Sequence, residues 1–200
     1  MNKEALLKHI AQTAYNVGFG AKKHFSTFDI IEKAPGWIGF IALVVAIYGL
    51  FIPPLTNNQV SAVLIVFGIV SLYISMYLPE KLKYQQGGET LTRVFHSLRT
   101  LYGEVSSANP SDDMTPYLAR HEMLQAEGLS VSMSKQIFLS DWYAHYKFFW
   151  QTQIDWIDEQ LHFALWRDKL PLTFYVAILV AAVGLACTAT KWFSVLNFCK

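Results

Sequence analysis

Residues 35–78 read PGWIGFIALVVAIYGLFIPPLTNNQVSAVLIVFGIVSLYISMYL. No charged side chain lies between Lys33 and Glu80, and a polar turn at residues 53–59 divides the apolar run in two. A charge at the centre of a membrane-spanning helix costs about 2.5–3.5 kcal/mol, so a lipid environment requires this absence of charge. Each half is long enough, at about 1.5 Å per residue, to cross most or all of the hydrocarbon core. The stretch therefore predicts a transmembrane helical hairpin.

The bulk composition agrees with a membrane protein. Of 200 residues, 53% are hydrophobic and 16% are charged, which is too apolar for an ordinary soluble domain. The net charge of +1 gives no general attraction to nucleic acid, so we expect no nucleic-acid partner. Cys187 and Cys199 fit neither a disulfide framework nor a zinc site. Glu4 and the lack of an early apolar core argue against a cleaved signal peptide.

The segment before the hairpin predicts a short amphipathic helix. Apolar residues recur at helical spacing over residues 2–17, and we expect Gly18 and Gly20 to break or bend the helix there. Pro35 suits the first turn of a new helix, because its missing N–H would be an unpaired donor in that turn anyway. The first span is predicted to start at this proline.

Basic residues set the expected topology. Lys22, Lys23 and Lys33 are predicted to lie at the membrane edge, where they either attract anionic headgroups or form an ordinary basic flank. Positive charge is concentrated before the hairpin and in residues 79–170, and the turn has none. Both flanks are therefore predicted to be cytoplasmic, and the turn is predicted to face the other side of the membrane.

The region after the hairpin predicts a cytosolic helical bundle. Helical spacing continues over residues 80–107, where Gly87 and Gly88 permit a bend, and a further helix is expected to end at Gly128. Residues 134–170 contain no Gly or Pro, so they predict one long helix. Its apolar faces would be covered by the bundle and by a second copy of the chain, which predicts a homo-oligomer. A row of aromatic residues recurs every seven positions along this helix: Trp142, Phe149, Trp156 and Phe163.

Residues 172–190 form another charge-free run and predict a third span, which would place the C-terminus outside. The fold class is thus an all-α membrane protein, with a transmembrane helical hairpin, a cytosolic helical bundle and a third C-terminal transmembrane helix. The predicted segments are an N-terminal helix and basic link at 1–33, the hairpin at 34–79, the cytosolic region at 80–170, the third span at 171–190 and a short tail at 191–200.

One further feature comes from the approach to the first span, AYNVGFGAKKHF at residues 14–25, FDIIEK at 28–33 and then Pro35 and Gly36. With the hairpin and the helical tail, this stretch resembles the SLATT family of small bacterial membrane effectors. The resemblance covers roughly residues 5–170. It implies a pore-forming or membrane-perturbing effector of anti-phage defence that lies in the bacterial inner membrane and causes abortive infection. It also implies a trigger, either a nucleotide second messenger or a nucleotide-sensing partner protein. The family is defined by two spans, so the third apolar segment departs from its pattern.

Small residues mark candidate surfaces in two spans. In the second span they either pack against another helix or line a weakly polar pore: Ser61, Gly68, Ser71 and Ser75. In the third span they form a candidate interface: Ala177, Ala181, Gly184 and Thr188. No ionisable residue lies within any span, which argues against a proton relay or an ion-coupled transporter.

Other chemistry is weakly supported. Basic residues that could gather into a pocket for an anionic nucleotide are Arg93, His96, Arg99 and Arg120, with His121 beside them, although scattered basic residues are usually solvated. Glu159 and His162 have the spacing of a di-metal carboxylate site but lack the second copy that such a site needs, so no metal and no cofactor are expected. We do not expect the protein to be an enzyme. The alternative to a pore is a membrane-anchored scaffold that docks a soluble partner through its cytosolic helices.

Overall fold

The computed structural model describes the backbone of residues 1–197 and the side chains of residues 1–186, and this part of the chain is helical without strands. It forms two compact units, one of residues 1–162 and one that begins at residue 163. The helices of the first unit are α1 (Lys3–Gly49), α2 (Asn58–Ser75), α3 (Lys81–Ser107), α4 (Thr115–Ser130), α5 (Ser140–Gln151) and α6 (Asp155–Leu161). The second unit contains α7 (Leu172–Asn197).

Helix α1 is a single helix of 47 residues, about 70 Å long. The predicted break at Gly18 and Gly20 is wrong, and so is the predicted helix start at Pro35, because all three residues lie inside α1. Asn2 caps its N-terminus by accepting a hydrogen bond from the Ala5 N–H at 2.9 Å. One rod therefore contains both the predicted amphipathic segment and the first apolar span.

The N-terminal half of α1 packs mainly on α3, and glycines allow this close approach. A Cβ on Gly18 would lie 2.7 Å from the ring of Phe95, and one on Gly87 would lie 2.5 Å from the ring of His24. Helix α3 continues without a break through Gly87 and Gly88, where the sequence permits a bend. At Gly18 and Gly87, the missing side chain makes room for a ring of the neighbouring helix. Buried apolar side chains of the two helices make the core here: Leu6, Ile10, Ala14, Leu91, Val94, Leu98, Leu101 and Val105.

The hairpin turn joins α1 to α2 through a short 3₁₀ turn at Pro53–Thr56. Asn57 begins α2 by accepting a hydrogen bond from the Val60 N–H at 2.8 Å. A second 3₁₀ turn, Leu78–Glu80, connects α2 to α3. The first unit is thus a long antiparallel hairpin whose apolar end is uncovered and whose other end is wrapped by α4, α5 and α6.

The predicted single helix over residues 134–170 is wrong. Residues 134–139 form no helix, and Leu139, just before α5, has a left-handed backbone with φ 70°. Thr152 is extended and separates α5 from α6, and its hydroxyl donates to the Lys147 carbonyl at 2.9 Å. His162 is also left-handed, at φ 50°, and ends α6. The aromatic row predicted along one helix is consequently divided among separate elements.

In the second unit, α7 runs beyond the predicted end of the third span at residue 190. Over the described side chains, most of its large apolar residues are exposed: Leu172, Val176, Ile178, Leu179, Val180, Val183 and Leu185.

Candidate membrane hairpin and the charged belt at its base

The apolar end of the hairpin lies outside the folded core. Two helical stretches are long and apolar enough to cross a membrane, Lys3–Gly49 and Asn58–Ser107, the second comprising α2 and α3. Large side chains in their apolar parts are open, with Trp37 63% exposed and Leu72 69% exposed. Contiguous apolar surface of this extent is the kind that lipid or another protein covers.

The two arms contact each other along one face. Half-buried or buried residues of α2 recur at intervals of three and four: Val60, Leu64, Phe67, Ser71 and Ile74. The facing residues of α1 follow the same spacing: Ala34, Ile38, Ala42, Val45 and Gly49. This spacing is that of a helix pair packed along its length. The remaining faces of both arms stay open.

Ion pairs form a belt where the hairpin meets the bundle. Asp29 accepts hydrogen bonds from Lys33 at 2.7 Å and from Lys147 at 2.5 Å. Burial opposes ionisation of Asp29, but the two lysine hydrogen bonds prevail and lower its pKa below the ordinary value. Glu32 pairs with Lys81 across the hairpin. The belt therefore joins α1 both to α3 and to α5.

A ladder of tyrosines holds the irregular segment 135–138 against the same region. The Tyr84 hydroxyl donates to the Lys135 carbonyl at 2.6 Å, and the Tyr77 hydroxyl donates to the Gln136 carbonyl at 3.4 Å. The Phe138 N–H donates to the Tyr73 hydroxyl at 3.3 Å. Burial raises the pKa of Tyr84, with the charge of Glu80 adding to the effect. The connection between α4 and α5 thus runs along the hairpin towards its apolar end.

A buried cluster lies beneath this ladder and unites the hairpin with the bundle. It contains Ile31 from α1, Ile74 from α2, Tyr77 and Tyr84, with Ile137 from the connection packed among them. Met133, at the start of the connection, donates its N–H to the ring of His24 at 3.3 Å. The connection therefore contacts the base of both arms directly.

The small residues predicted in the second span divide between two environments. Ser71 is half-buried on the face towards α1, whereas Ser61 and Gly68 are exposed and a Cβ on Gly68 would meet nothing within 4 Å. The Ser61 hydroxyl donates to the Asn57 carbonyl at 3.2 Å, and the Ser75 hydroxyl donates to the Leu72 carbonyl at 2.7 Å. Both hydroxyls thus bond within their own helix.

Comparison with known proteins gives a family. Residues 1–178 match SLATT_6, described as the SMODS and SLOG-associating 2TM effector domain 6. The chain belongs to the SLATT family. No curated protein and no solved structure matches the chain. The two spans in the family description agree with the two candidate spans of the hairpin, and together they indicate a membrane protein. The resemblance seen in the sequence is thereby confirmed.

In this SLATT chain the predicted nucleotide-binding residues lie on α3 and α4, and two of the arginines form ion pairs. Arg93 pairs with Glu127 at 2.9 Å, and Arg120 pairs with Glu104 at 2.6 Å. His96 and Arg99 are exposed on α3. The two arginine pairs lie at different heights and fasten α3 to α4.

The lysines predicted at the membrane edge occupy two levels. Lys33 lies in the belt, but Lys22 and Lys23 lie roughly 15 Å further back along α1 at 1.5 Å per residue. Lys23 pairs with Asp141 at 3.1 Å. Burial, together with the positive charge of Lys147, lowers the pKa of Lys22. Of these three lysines, only Lys33 lies directly before the charge-free stretch of α1.

The remaining predicted sites are the small residues of the third span and the pair Glu159 and His162. Ala177, Ala181 and Gly184 are exposed on α7, and the side chain of Thr188 lies outside the described residues. Glu159 accepts a hydrogen bond from the Tyr102 hydroxyl at 3.4 Å, whereas His162 leaves the helix in a left-handed conformation. Among the described residues no group of three metal-binding side chains is found.

Sequence reasoning missed the belt. Asp29 and Lys33 are four residues apart on one helix, and this spacing could have predicted their ion pair. The partnership of Asp29 with Lys147 spans 118 positions and has no local signal. The tyrosine ladder likewise depends on how the connection folds back.

Proposed function

We propose that this SLATT chain is a pore-forming or membrane-perturbing effector of bacterial anti-phage defence. In this proposal a nucleotide signal or a signalling partner acts on the bundle, and the hairpin then permeabilises the inner membrane and causes abortive infection. The protein acts without catalysing a reaction. The family description, which names an effector domain, supports the coarse assignment to a membrane effector of conflict systems.

One observation carries the proposal. The hairpin has no charged side chain between Lys33 and Glu80, its outer faces are open, and its base is tied to a folded bundle by the belt and the tyrosine ladder. A membrane anchor alone does not require so many contacts between the bundle and both arms. Such contacts are suited to passing a change in the bundle to the hairpin.

Assembly is part of the proposal. A single two-helix hairpin encloses no channel, so a pore needs several copies. The open faces at Ser61 and Gly68 allow close helix approach between copies, and α7 adds a third apolar helix with the small residues Ala181 and Gly184. We propose that α7 also crosses the membrane, with the N-terminus and the bundle in the cytoplasm.

The test is release of entrapped solutes. The full chain is reconstituted into vesicles of phosphatidylethanolamine and phosphatidylglycerol loaded with a small dye, and candidate nucleotide second messengers or the signalling partner are added. We expect dye release on addition of the trigger. Gly68→Trp should abolish release by blocking close helix approach, whereas Val66→Trp, at an exposed apolar position on the other side of α2, serves as the control.

A second function is favoured by a specific observation. The hydroxyls of Ser61 and Ser75 bond to their own helix, so the apolar spans offer few free polar groups to water. This arrangement suits a membrane-anchored scaffold that docks a soluble partner through α3, α4 and α5 without conducting. If the partner binds to the reconstituted protein and no dye is ever released, the scaffold replaces the pore.

A further inference from the structure

An open groove lies where α1 leaves the bundle and enters its apolar half. Its volume is ≈ 400 Å³, within the range of small-molecule sites. The groove is amphipathic, because one end is polar and the other is entirely apolar. Its polar mouth has Asp29, Lys33 and Tyr143, and its apolar wall includes Trp37, Ile41 and Phe67.

The mouth carries a net positive charge. Asp29 is shared by two ammonium groups, those of Lys33 and Lys147, so one positive charge remains unbalanced. The Lys33 side chain is 63% exposed and uses one of its three donors on Asp29. Lys147 lies over the ring of Tyr143, 4.1 Å from its centroid, which holds that ring at the mouth. The two remaining N–H donors of Lys33 and the excess positive charge are therefore suited to binding a negatively charged group.

The depth of the groove is fixed by the hairpin. Lys33 is the last charged residue before the apolar span, so the mouth lies at the level of the lipid headgroups. Trp37, one turn further, is typical of the interface, and Ile41 lies at the level of the hydrocarbon. The apolar wall cannot be covered by water at that depth without cost, whereas an acyl chain covers it readily.

We propose that this groove binds one phospholipid with an anionic headgroup. The phosphate accepts hydrogen bonds from the Lys33 ammonium and the Tyr143 hydroxyl, and an acyl chain lies along Ile41 and Phe67. The proposal requires that the hairpin lies in a membrane. It does not depend on whether the hairpin conducts, so failure of dye release would leave it standing.

The headgroup is tested by lipid retention. The full chain is purified in a neutral detergent, incubated with equal amounts of phosphatidylglycerol and phosphatidylcholine, and examined by native mass spectrometry. We expect one phosphatidylglycerol to be retained in preference. Lys33→Gln should weaken its retention about tenfold, the size expected for a lost charge-assisted hydrogen bond. Lys83→Gln removes the same charge from an exposed position on α3 outside the groove and should leave retention unchanged.

The acyl chain is tested by filling the apolar wall. Ile41→Trp places a larger ring in the groove and should reduce retention of both lipids, whereas Leu43→Trp changes an exposed residue outside it and should not. Both positions are open to the surroundings, so neither variant is expected to unfold the bundle. Circular dichroism spectra that match the wild type confirm this.

A free phosphate is the other possible source of the anion. A large excess of glycerol phosphate should not displace phosphatidylglycerol, because it lacks the acyl chain. Displacement by glycerol phosphate would overturn the lipid site. Equal losses in Lys33→Gln and Lys83→Gln, or equal retention of the two lipids by the wild type, would also overturn it.

Discussion

At the scale of single residues, the close contacts of the bundle depend on glycines, which the sequence predicted to interrupt the helix. Gly18 lies against Phe95 and Phe148, whose nearest ring atoms would be 2.7 and 2.9 Å from an added Cβ. A glycine in a helix costs roughly 0.5–1 kcal/mol relative to alanine. Close packing of two buried rings repays that cost, so the helix continues where propensity predicted a break.

We expect Gly18→Ala to destabilise the protein by about 1–3 kcal/mol, because both neighbouring rings are buried and must move. Gly103→Ala is the matched control, since a Cβ there meets nothing within 4 Å and should stabilise α3 by roughly 0.5–1 kcal/mol. Denaturant unfolding of the full chain in detergent measures both. Equal effects of the two substitutions would contradict the close approach.

The buried histidines predict a dependence of stability on pH. Burial lowers the pKa of His121, and the nearby charge of His9 adds to the effect; burial also lowers the pKa of His24, opposed by a backbone hydrogen bond with Tyr84. The folded state therefore prefers both rings neutral. Their contribution is fully present above about pH 6.5 and is lost as the pH falls below that value, because the unfolded chain then binds protons more readily.

We expect the midpoint temperature of thermal unfolding to decrease as the pH is lowered from 7.5 to 5.5. In the His121→Gln variant this decrease should be smaller. Asp29, whose pKa is lowered, stays ionised in this interval and does not produce the slope. His96→Gln, at an exposed position on α3, should retain the slope of the wild type. A slope in His121→Gln as steep as in the wild type would show that this ring is not responsible.

At the scale of elements, the belt determines how the hairpin is joined to the bundle. Lys147 has a side chain only 16% exposed, and Asp29 is its anionic partner. Removing one member of a pair this shielded from water leaves the other charge poorly compensated.

Asp29→Asn should therefore destabilise the first unit by about 1–3 kcal/mol. Adding Lys147→Gln to this variant should recover part of the loss, because the uncompensated ammonium is then gone. Unfolding of the wild type, the two single variants and the double variant gives the coupling energy. Losses in the single variants that simply add in the double variant would rule out a direct interaction.

Elements also show what the sequence could and could not predict. The charge-free hairpin was predictable because lipid imposes its pattern on consecutive residues. The continuity of α1 through Pro35 was not, since a proline inside a helix normally favours a boundary. The break at Thr152 was missed because no Gly or Pro marks it, although its hydroxyl competes for the Lys147 carbonyl. The belt was missed because its partners are distant in the chain.

At the scale of the whole molecule, the sequence predicts one more crossing than the family description names. The two cysteines of the chain, Cys187 and Cys199, give a test of this crossing. In a Cys187→Ala variant expressed in bacteria, Cys199 is the only thiol. We expect a membrane-impermeant maleimide to label it in intact spheroplasts. Labelling only after the membrane is opened would place the C-terminus in the cytoplasm and remove the third crossing.

The hairpin is the central claim, and its two ends can be tested against its turn. In a Cys187→Ala, Cys199→Ala background, single cysteines are introduced as Asn57→Cys in the turn or as Lys83→Cys just beyond the belt. Spheroplasts are then exposed to an impermeant maleimide before and after permeabilisation. The predicted result is labelling of the Asn57→Cys variant in intact spheroplasts and of the Lys83→Cys variant only after permeabilisation. Labelling of both variants from the same side of the membrane would contradict a hairpin that crosses it.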